Sequence, residues 1–267
     1  MRSVNDIIRM KQEGKKVVEL TVYDYSFAKI MDSTNSVDIF LVGDSLGMVI
    51  QGHPTPIPVT VDQMVYHTEM VSRATENALV IADMPFMSYR LSLEQSLKNA
   101  GRMIQEGGAN AVKLEGAGKN LELIQNLVEI GIPVQGHIGL TPQSFNKLGW
   151  KVQGKTKDAV KKLKEDALML QGAGVFSLVL EALPVEAAKI ISEAIDIPTI
   201  GIGAGKFCDG QVLVMHDMLG IGDYARVFVK VYAQIKEVIQ NAVNSYASEV
   251  RSGEFPGDTY AYKSGIE

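Results

Sequence analysis

The run Asp38-Ile39-Phe40-Leu41-Val42-Gly43-Asp44 decides how this chain folds. Its four central residues are apolar without a break, so no face is left for water. A strand of that kind belongs in a parallel sheet covered on both sides by helices. Leu178-Val179-Leu180 has the same character, inside the run Ser177–Leu183. Further short apolar runs stand at Val17–Asp24, Ala78–Pro85, Ala111–Gly116, Pro133–Leu140, Pro198–Gly205 and Gln211–Met218. With the run Asp38–Asp44 they make eight predicted strands.

Helical patterns fall between most of these runs. Val61–Ala74 places Met64, Val65, Thr68 and Val71 on one face, Leu93–Glu106 does so with Leu97, Ala100 and Ile104, and Asp158–Gln171 with Val160, Leu163, Ala167 and Leu170. This is the i, i+3, i+4 spacing of a helix with one buried side. Gly107-Gly108, Gly131 and Gly172 follow helical patterns, where a C-terminal cap takes positive φ most cheaply. Pro133 and Pro198 open strands, where a missing amide donor does least harm.

Eight strands alternating with helices fit a closed barrel or an open doubly wound sheet. No Gly-x-Gly-x-x-Gly follows the first strand and no Pro/Ser-rich linker divides the chain. The expectation is a single (β/α)₈ barrel domain over residues 1–267. It has a short N-terminal helix and a C-terminal helical tail, with Tyr224–Val250 as a closing helix or pair.

Composition narrows the function. The 267 residues are 46% hydrophobic with 26 basic and 31 acidic side chains, net −5. That balance lacks the basic excess of a nucleic-acid groove. Met1–Lys16 mixes charged and apolar residues and has no signal-peptide core, and no stretch approaches the ~18 apolar residues of a membrane span. The expected location is the cytoplasm. Cys208 is the only cysteine, so an internal disulfide or a cysteine metal cluster is excluded.

In a (β/α)₈ barrel, chemistry sits where the strands end. Here the predicted strands end in Asp24, in Asp44 followed by Ser45, in Asp83, in Lys113 and Glu115, in His137, in Glu181 and in Asp217. Only the seventh has no such group. For Asp24, Ser45 and Asp217 a helix N-cap is an equal reading. Taken together, buried carboxylates are expensive unless paired, hydrogen-bonded or bound to metal. Oxygen ligands of this kind fit Mg²⁺ or Mn²⁺ better than zinc. His53, His67 and His216 read as structural. Gly201-Ile202-Gly203-Ala204-Gly205-Lys206 is not a phosphate loop, since its glycine spacing is one residue short and Phe207 follows the lysine.

Several long motifs then occur in fixed order. They are Leu41-Val42-Gly43-Asp44-Ser45-Leu46-Gly47-Met48, Gln51-Gly52-His53, Ala82-Asp83-Met84-Pro85-Phe86-Met87, Val112-Lys113-Leu114-Glu115-Gly116 and Gly136-His137-Ile138-Gly139-Leu140-Thr141-Pro142-Gln143. Gly201-Ile202-Gly203-Ala204-Gly205, Asp209-Gly210-Gln211 and Val214-Met215-His216-Asp217 complete the set. From about Val4 to Pro256 the chain resembles the ketopantoate hydroxymethyltransferase family. Departures are few: Val22, Arg226 and Tyr260 stand where that family often has alanine, proline and histidine.

The resemblance implies a barrel of the phosphoenolpyruvate/pyruvate superfamily assembled as a homo-oligomer, typically a decamer. It implies transfer of a one-carbon unit from 5,10-methylenetetrahydrofolate to 3-methyl-2-oxobutanoate, giving 2-dehydropantoate in pantothenate and coenzyme A biosynthesis. At the matching positions Asp44 and Asp83 would bind Mg²⁺ with Glu115 in support. Asp44, Ser45, Asp83 and Lys113 would contact the keto acid, and Glu181 would take the proton. His137 would orient substrate or satisfy a neighbour. The competing readings are a metal-dependent carbon–carbon lyase or phosphomutase of the same superfamily, and a barrel that only binds or scaffolds. His53–Val59, with three prolines, is either a lid or a rigid connector.

Overall fold

The structure, a computed structural model, describes residues 1–222 and 226–263. It divides into two units, residues 1–215 and 216–267. The first is a closed ring of eight parallel strands: β1 (Val17–Thr21), β2 (Ile39–Val42), β3 (Leu79–Asp83), β4 (Ala111–Glu115), β5 (Val134–Gly139), β6 (Ser177–Glu181), β7 (Thr199–Ile202) and β8 (Gly210–Leu213). Neighbours in sequence are neighbours in the ring, and β8 pairs back onto β1, Val17 opposite Gly210.

Helix α1 (Val4–Gln12) precedes the ring. The connections hold α2 (Tyr25–Asp32), α3 (Leu46–Val49), α4 (Val61–Ala74), α5 (Leu93–Gln105), α6 (Leu121–Glu129), α7 (Phe145–Leu148), α8 (Lys157–Gly172) and α9 (Val185–Ser192). Their starts follow from local chemistry. Thr60 and Gln63 form a reciprocal capping box at α4, with N–H to side-chain oxygen distances of 2.9 and 3.2 Å, which satisfies two otherwise orphaned amides. Ser92 and Thr156 cap α5 and α8.

Residues on β2, β3 and β4 are buried on both faces, which is why these strands read as unbroken apolar runs. Side chains alternate in and out. The inward set Val17, Ile39, Leu41, Leu79, Ile81, Ala111, Val179, Ile200 and Val212 makes one buried cluster with Ile7 of α1. Burial of a residue such as Ile81 contributes about 1.5–3 kcal/mol. Helix α1 is further fixed by Lys11, whose ammonium donates to the carbonyls of Ser192, Ile195 and Ile197 and lies 2.9 Å from Asp209.

The final predicted strand needs correction. β8 stops at Leu213, and Met215–Met218 forms the short helix α10. Asp217 therefore does not end a strand. An apolar run of eight residues fits strand and helix equally by periodicity, and here it contains both. Among the described residues no helix separates β7 from β8.

In the second unit α11 (Ile235–Ser252) ends at Gly253, whose φ of 77° makes a left-handed cap. Phe255 lies between Tyr246 and Tyr260, with ring centroids 5.6 and 5.7 Å away. Tyr224, where the closing helix was expected to begin, lies outside the described residues. No helix of the described residues is long and apolar enough to cross a membrane.

Candidate active site

Period-two alternation carries the inward face of each strand from apolar to charged. β3 presents Leu79, Ile81 and then Asp83, and β4 presents Ala111, Lys113 and Glu115. Strand register sets Asp83 opposite Lys113 and Glu115 opposite His137. The Lys113 ammonium lies 2.7 Å from Asp83 Oδ1, both side chains almost wholly buried. Asp83 Oδ2 accepts the Asp44 amide N–H at 3.0 Å. Gly43 leaves room for the Ser45 hydroxyl, because a Cβ there would stand 2.7 Å from Ser45 Oγ.

Asp44 and Glu115 are held by one residue that the sequence reading left out. Gln143 donates its amide N–H to Glu115 Oε2 at 3.1 Å, and its side chain donates to Asp44 Oδ2 at 2.8 Å and to the Met84 carbonyl at 2.9 Å. Tyr89 donates to Gln143 Oε1 at 2.7 Å and itself accepts from Arg90 at 3.1 Å. Gln143 sits in the motif Gly139-Leu140-Thr141-Pro142-Gln143, but nothing local says that it reaches a residue 99 positions away.

His137 stands between Lys113 and Glu181. Its Nδ1 is 3.5 Å from Lys113 Nζ and its Nε2 is 3.2 Å from Glu181 Oε2, a charge contact outside hydrogen-bond alignment. Burial, reinforced by Lys113, pulls its pKa below the usual value, while Glu181 opposes. A neutral ring facing a lysine, which can only donate, accepts at Nδ1 and carries its proton on Nε2, toward Glu181. Glu181 ends β6 opposite Gly139. A Cβ on Gly139, at φ 98°, would fall 2.3 Å from the Glu181 carbonyl oxygen. Ser45 Oγ shares a hydrogen bond of 2.9 Å with Tyr23 Oη.

Electrostatically the cluster is overcharged. Burial and then Asp83 raise Asp44 to about 7, with Lys113 opposing. Burial and then Asp44 raise Glu115 well above the carboxylate range. Burial pulls the Lys113 ammonium down, but Asp83, Glu115 and Asp44 together push it up further. One lysine does not balance this many buried carboxyl groups, so Asp44 and Glu115 keep their protons to higher pH. Beside the cluster a cavity of about 630 Å³ opens against Glu115 and Tyr89 and is also lined by Arg90, Lys119 and Lys147.

The structure thus brings together Asp44, Ser45, Asp83, Lys113, Glu115, His137 and Glu181. Asp24 is a helix cap instead: its side chain accepts from the Phe27 amide at 3.0 Å and starts α2. His67 Nδ1 contacts the Tyr23 carbonyl at 2.7 Å, and His53 is exposed. Cys208 is buried and burial raises its thiol. Residues 53–59 are anchored by buried Thr55, Pro56 and Val59.

A closed barrel of this kind is similar in fold to solved proteins of the phosphoenolpyruvate mutase/isocitrate lyase superfamily. One solved member, a 2,3-dimethylmalate lyase, aligns over 100% of this chain and 92% of its own at a TM-score of 0.59 and 14% identity, a likeness of fold alone. Sequence carries the assignment further. The family model for ketopantoate hydroxymethyltransferase matches residues 2–258. The 3-methyl-2-oxobutanoate hydroxymethyltransferase of Clostridium beijerinckii is 51% identical over 95% of this chain and 92% of its own. That of Pelobacter propionicus is 51% identical over 97% of each. The chain belongs to the ketopantoate hydroxymethyltransferase family and is a transferase.

Proposed function

We propose that this chain transfers a hydroxymethyl group from 5,10-methylenetetrahydrofolate to 3-methyl-2-oxobutanoate, forming 2-dehydropantoate for pantothenate synthesis through an enolate of the keto acid. The observation that carries the reading is the buried cluster in which Asp83, Glu115 and Asp44 act on Lys113, with Glu181 beyond His137. Anions crowded round a single lysine suit a divalent cation and an anionic substrate that share one site.

The donor set fits Mg²⁺ or Mn²⁺. Asp44 and Asp83 are hard oxygen ligands whose mutual repulsion a cation would relieve, with Glu115 in support. Among the described residues no three acidic, histidine or cysteine side chains converge as a ready metal cage. Mg²⁺ asks for less, taking one or two carboxylates and leaving its other positions to water and substrate. When bound, the ion would act as a Lewis acid on the keto oxygen.

The chain's own groups would do the rest. Lys113, held by Asp83, would present an ammonium N–H to the oxygen on which charge develops, a preorganised stabilisation in a dry site. Glu181 would accept the C3 proton of the keto acid. His137 Nε2, 3.2 Å from Glu181 Oε2, would lie beside that carboxylate as it faces the substrate. Gln143 and Tyr89 would fix Asp44 and Glu115 so that the two do not spread. A homo-oligomer, a decamer by family resemblance, and a cytoplasmic location belong to the same proposal, as does a single barrel domain over residues 1–267.

Proton NMR of 3-methyl-2-oxobutanoate in D₂O tests the reading. Loss of the C3 proton signal that depends on Mg²⁺, then a hydroxymethyl product on adding the folate, is expected. Exchange without product would reject the one-carbon donor, and no exchange from folded protein would reject the enolising site.

A further inference from the structure

Nothing in that mechanism uses Glu19, yet it is an acid buried inside the ring at 2% exposure. It lies on β1, and Gln135, wholly buried, lies on β5. In a ring of eight these strands stand opposite each other, so the bond between the two side chains crosses the barrel interior. Gln135 Nε2 donates to Glu19 Oε2 at 3.0 Å and to Ser177 Oγ at 3.1 Å. Both amide hydrogens are then spent. Two buried oxygens remain without a partner among the described residues, Glu19 Oε1 and Gln135 Oε1.

These two orphans are the remaining oxygens of groups already joined by one hydrogen bond. A carboxylic acid and a primary amide are planar and complementary: the amide N–H donates to one oxygen of the acid while the acid O–H donates to the amide oxygen. One hydrogen on Glu19 Oε1, donated to Gln135 Oε1, would satisfy both orphans at once. An ionised Glu19 has no hydrogen to give, and two buried acceptors would be left unmatched, which native interiors avoid.

We propose that Glu19 is folded into the protein as a neutral acid, paired with Gln135 by two reciprocal hydrogen bonds, and that this brace keeps a negative charge away from Lys113. The environment agrees. Burial raises the Glu19 carboxyl to about 7; Gln135 and then Lys113 of β4 oppose this, and Asp83 of β3 adds to it. Lys113 already serves Asp83, Asp44 and Glu115. A further anion beneath it would draw on the charge that the reacting oxygen needs, so Glu19 is a positioning residue. This last role rests on the proposed function of Lys113, whereas the proton assignment stands without it.

The test compares the wild type with Glu19→Gln, an amide that keeps the shape and both hydrogen bonds of the neutral acid. Difference infrared spectroscopy should show a protonated-carboxyl C=O band in the wild type on the acid side of neutrality, absent from E19Q. Between about pH 4.5 and about 7 the folded wild type holds a proton that the unfolded chain has lost. Its stability therefore falls as pH rises through that window and then levels. The Tm of E19Q should gain on the wild type across the window, and deuterium exchange into the keto acid should decline less at alkaline pH. No carboxyl band together with a wild type more stable than E19Q at every pH would overturn the proposal in favour of an ionised, water-bridged Glu19. Failure of E19Q to fold would overturn it too. Infrared and Tm need no substrate, so a wild type that exchanges no deuterium refutes the reaction and leaves the proton assignment intact.

Discussion

The two ends of the barrel interior are built from the same strands and obey opposite rules. Toward the strand beginnings, Val17, Ile39, Leu79, Ala111 and Ile200 interlock as an apolar plug closed by Ile7. Toward the strand ends, the same inward parity carries Asp83, Lys113, Glu115 and Glu181. The apolar end gains from every contact. The charged end holds like charges that burial makes more repulsive, an arrangement that lowers stability.

Substitutions at either end would sharpen or break that contrast. At the charged end Glu181→Gln should lower turnover by about 10²–10⁴-fold, the usual worth of a positioned base, with an unchanged melting curve; near-normal rates would remove Glu181 from the chemistry. At the apolar end Ile81→Ala should show the reverse, a loss of about 2–5 kcal/mol in denaturant unfolding with turnover per folded molecule nearly retained. A severe loss of rate at full stability there would mean that the two ends are not separable.

Asp44→Asn should produce a smaller, pH-dependent effect. Folding raises the Asp44 pKa from 3.8 to about 7, so metal-free wild type loses stability as pH rises through that window. The variant should therefore melt a few degrees higher near neutrality in chelator, and Mg²⁺ should stabilise the wild type alone. A variant less stable than wild type in chelator would refute the overcharged site. The smallest change is expected at Ala182, directly after Glu181, where φ is 50°. Ala182→Gly removes a left-handed cost of about 1–2 kcal/mol against about 0.5–1 kcal/mol of added backbone entropy. The net gain in Tm should be slight, and a fall would show that the Ala182 methyl packs usefully.

Much of the barrel and the charged rim were legible in sequence for one reason. Parallel strands buried on both faces read as apolar runs, and a polar residue closing such a run is conspicuous. Asp83 after Leu79-Val80-Ile81-Ala82 needs no structure to be noticed. Short helices such as α6 and α9 show less, because a few turns give the periodicity little length. Asp217 was misplaced because Val212-Leu213-Val214-Met215 does not say where strand yields to helix. Asp24 closes an apolar run as Asp83 does, but it lies three residues past the end of β1 and its side chain is taken by the Phe27 amide. Gln143, Tyr89, Glu19 and Gln135 were hidden differently. Each works through a partner 26 to 116 residues away, and pairing across a ring leaves no local mark.

The pairing of β1 with β8 also sets a timetable. Val17 waits for Gly210, about 190 residues downstream, and a ribosome adds roughly 5–20 residues per second. For some 10–40 s of synthesis β1 is a strand with one open edge, the kind of surface on which nascent chains stick to one another. Lys15 and Lys16 stand immediately ahead of it, and charge on an exposed edge is a known deterrent to such adhesion. The ring cannot close before β8 is made, when about four-fifths of the chain has been synthesised.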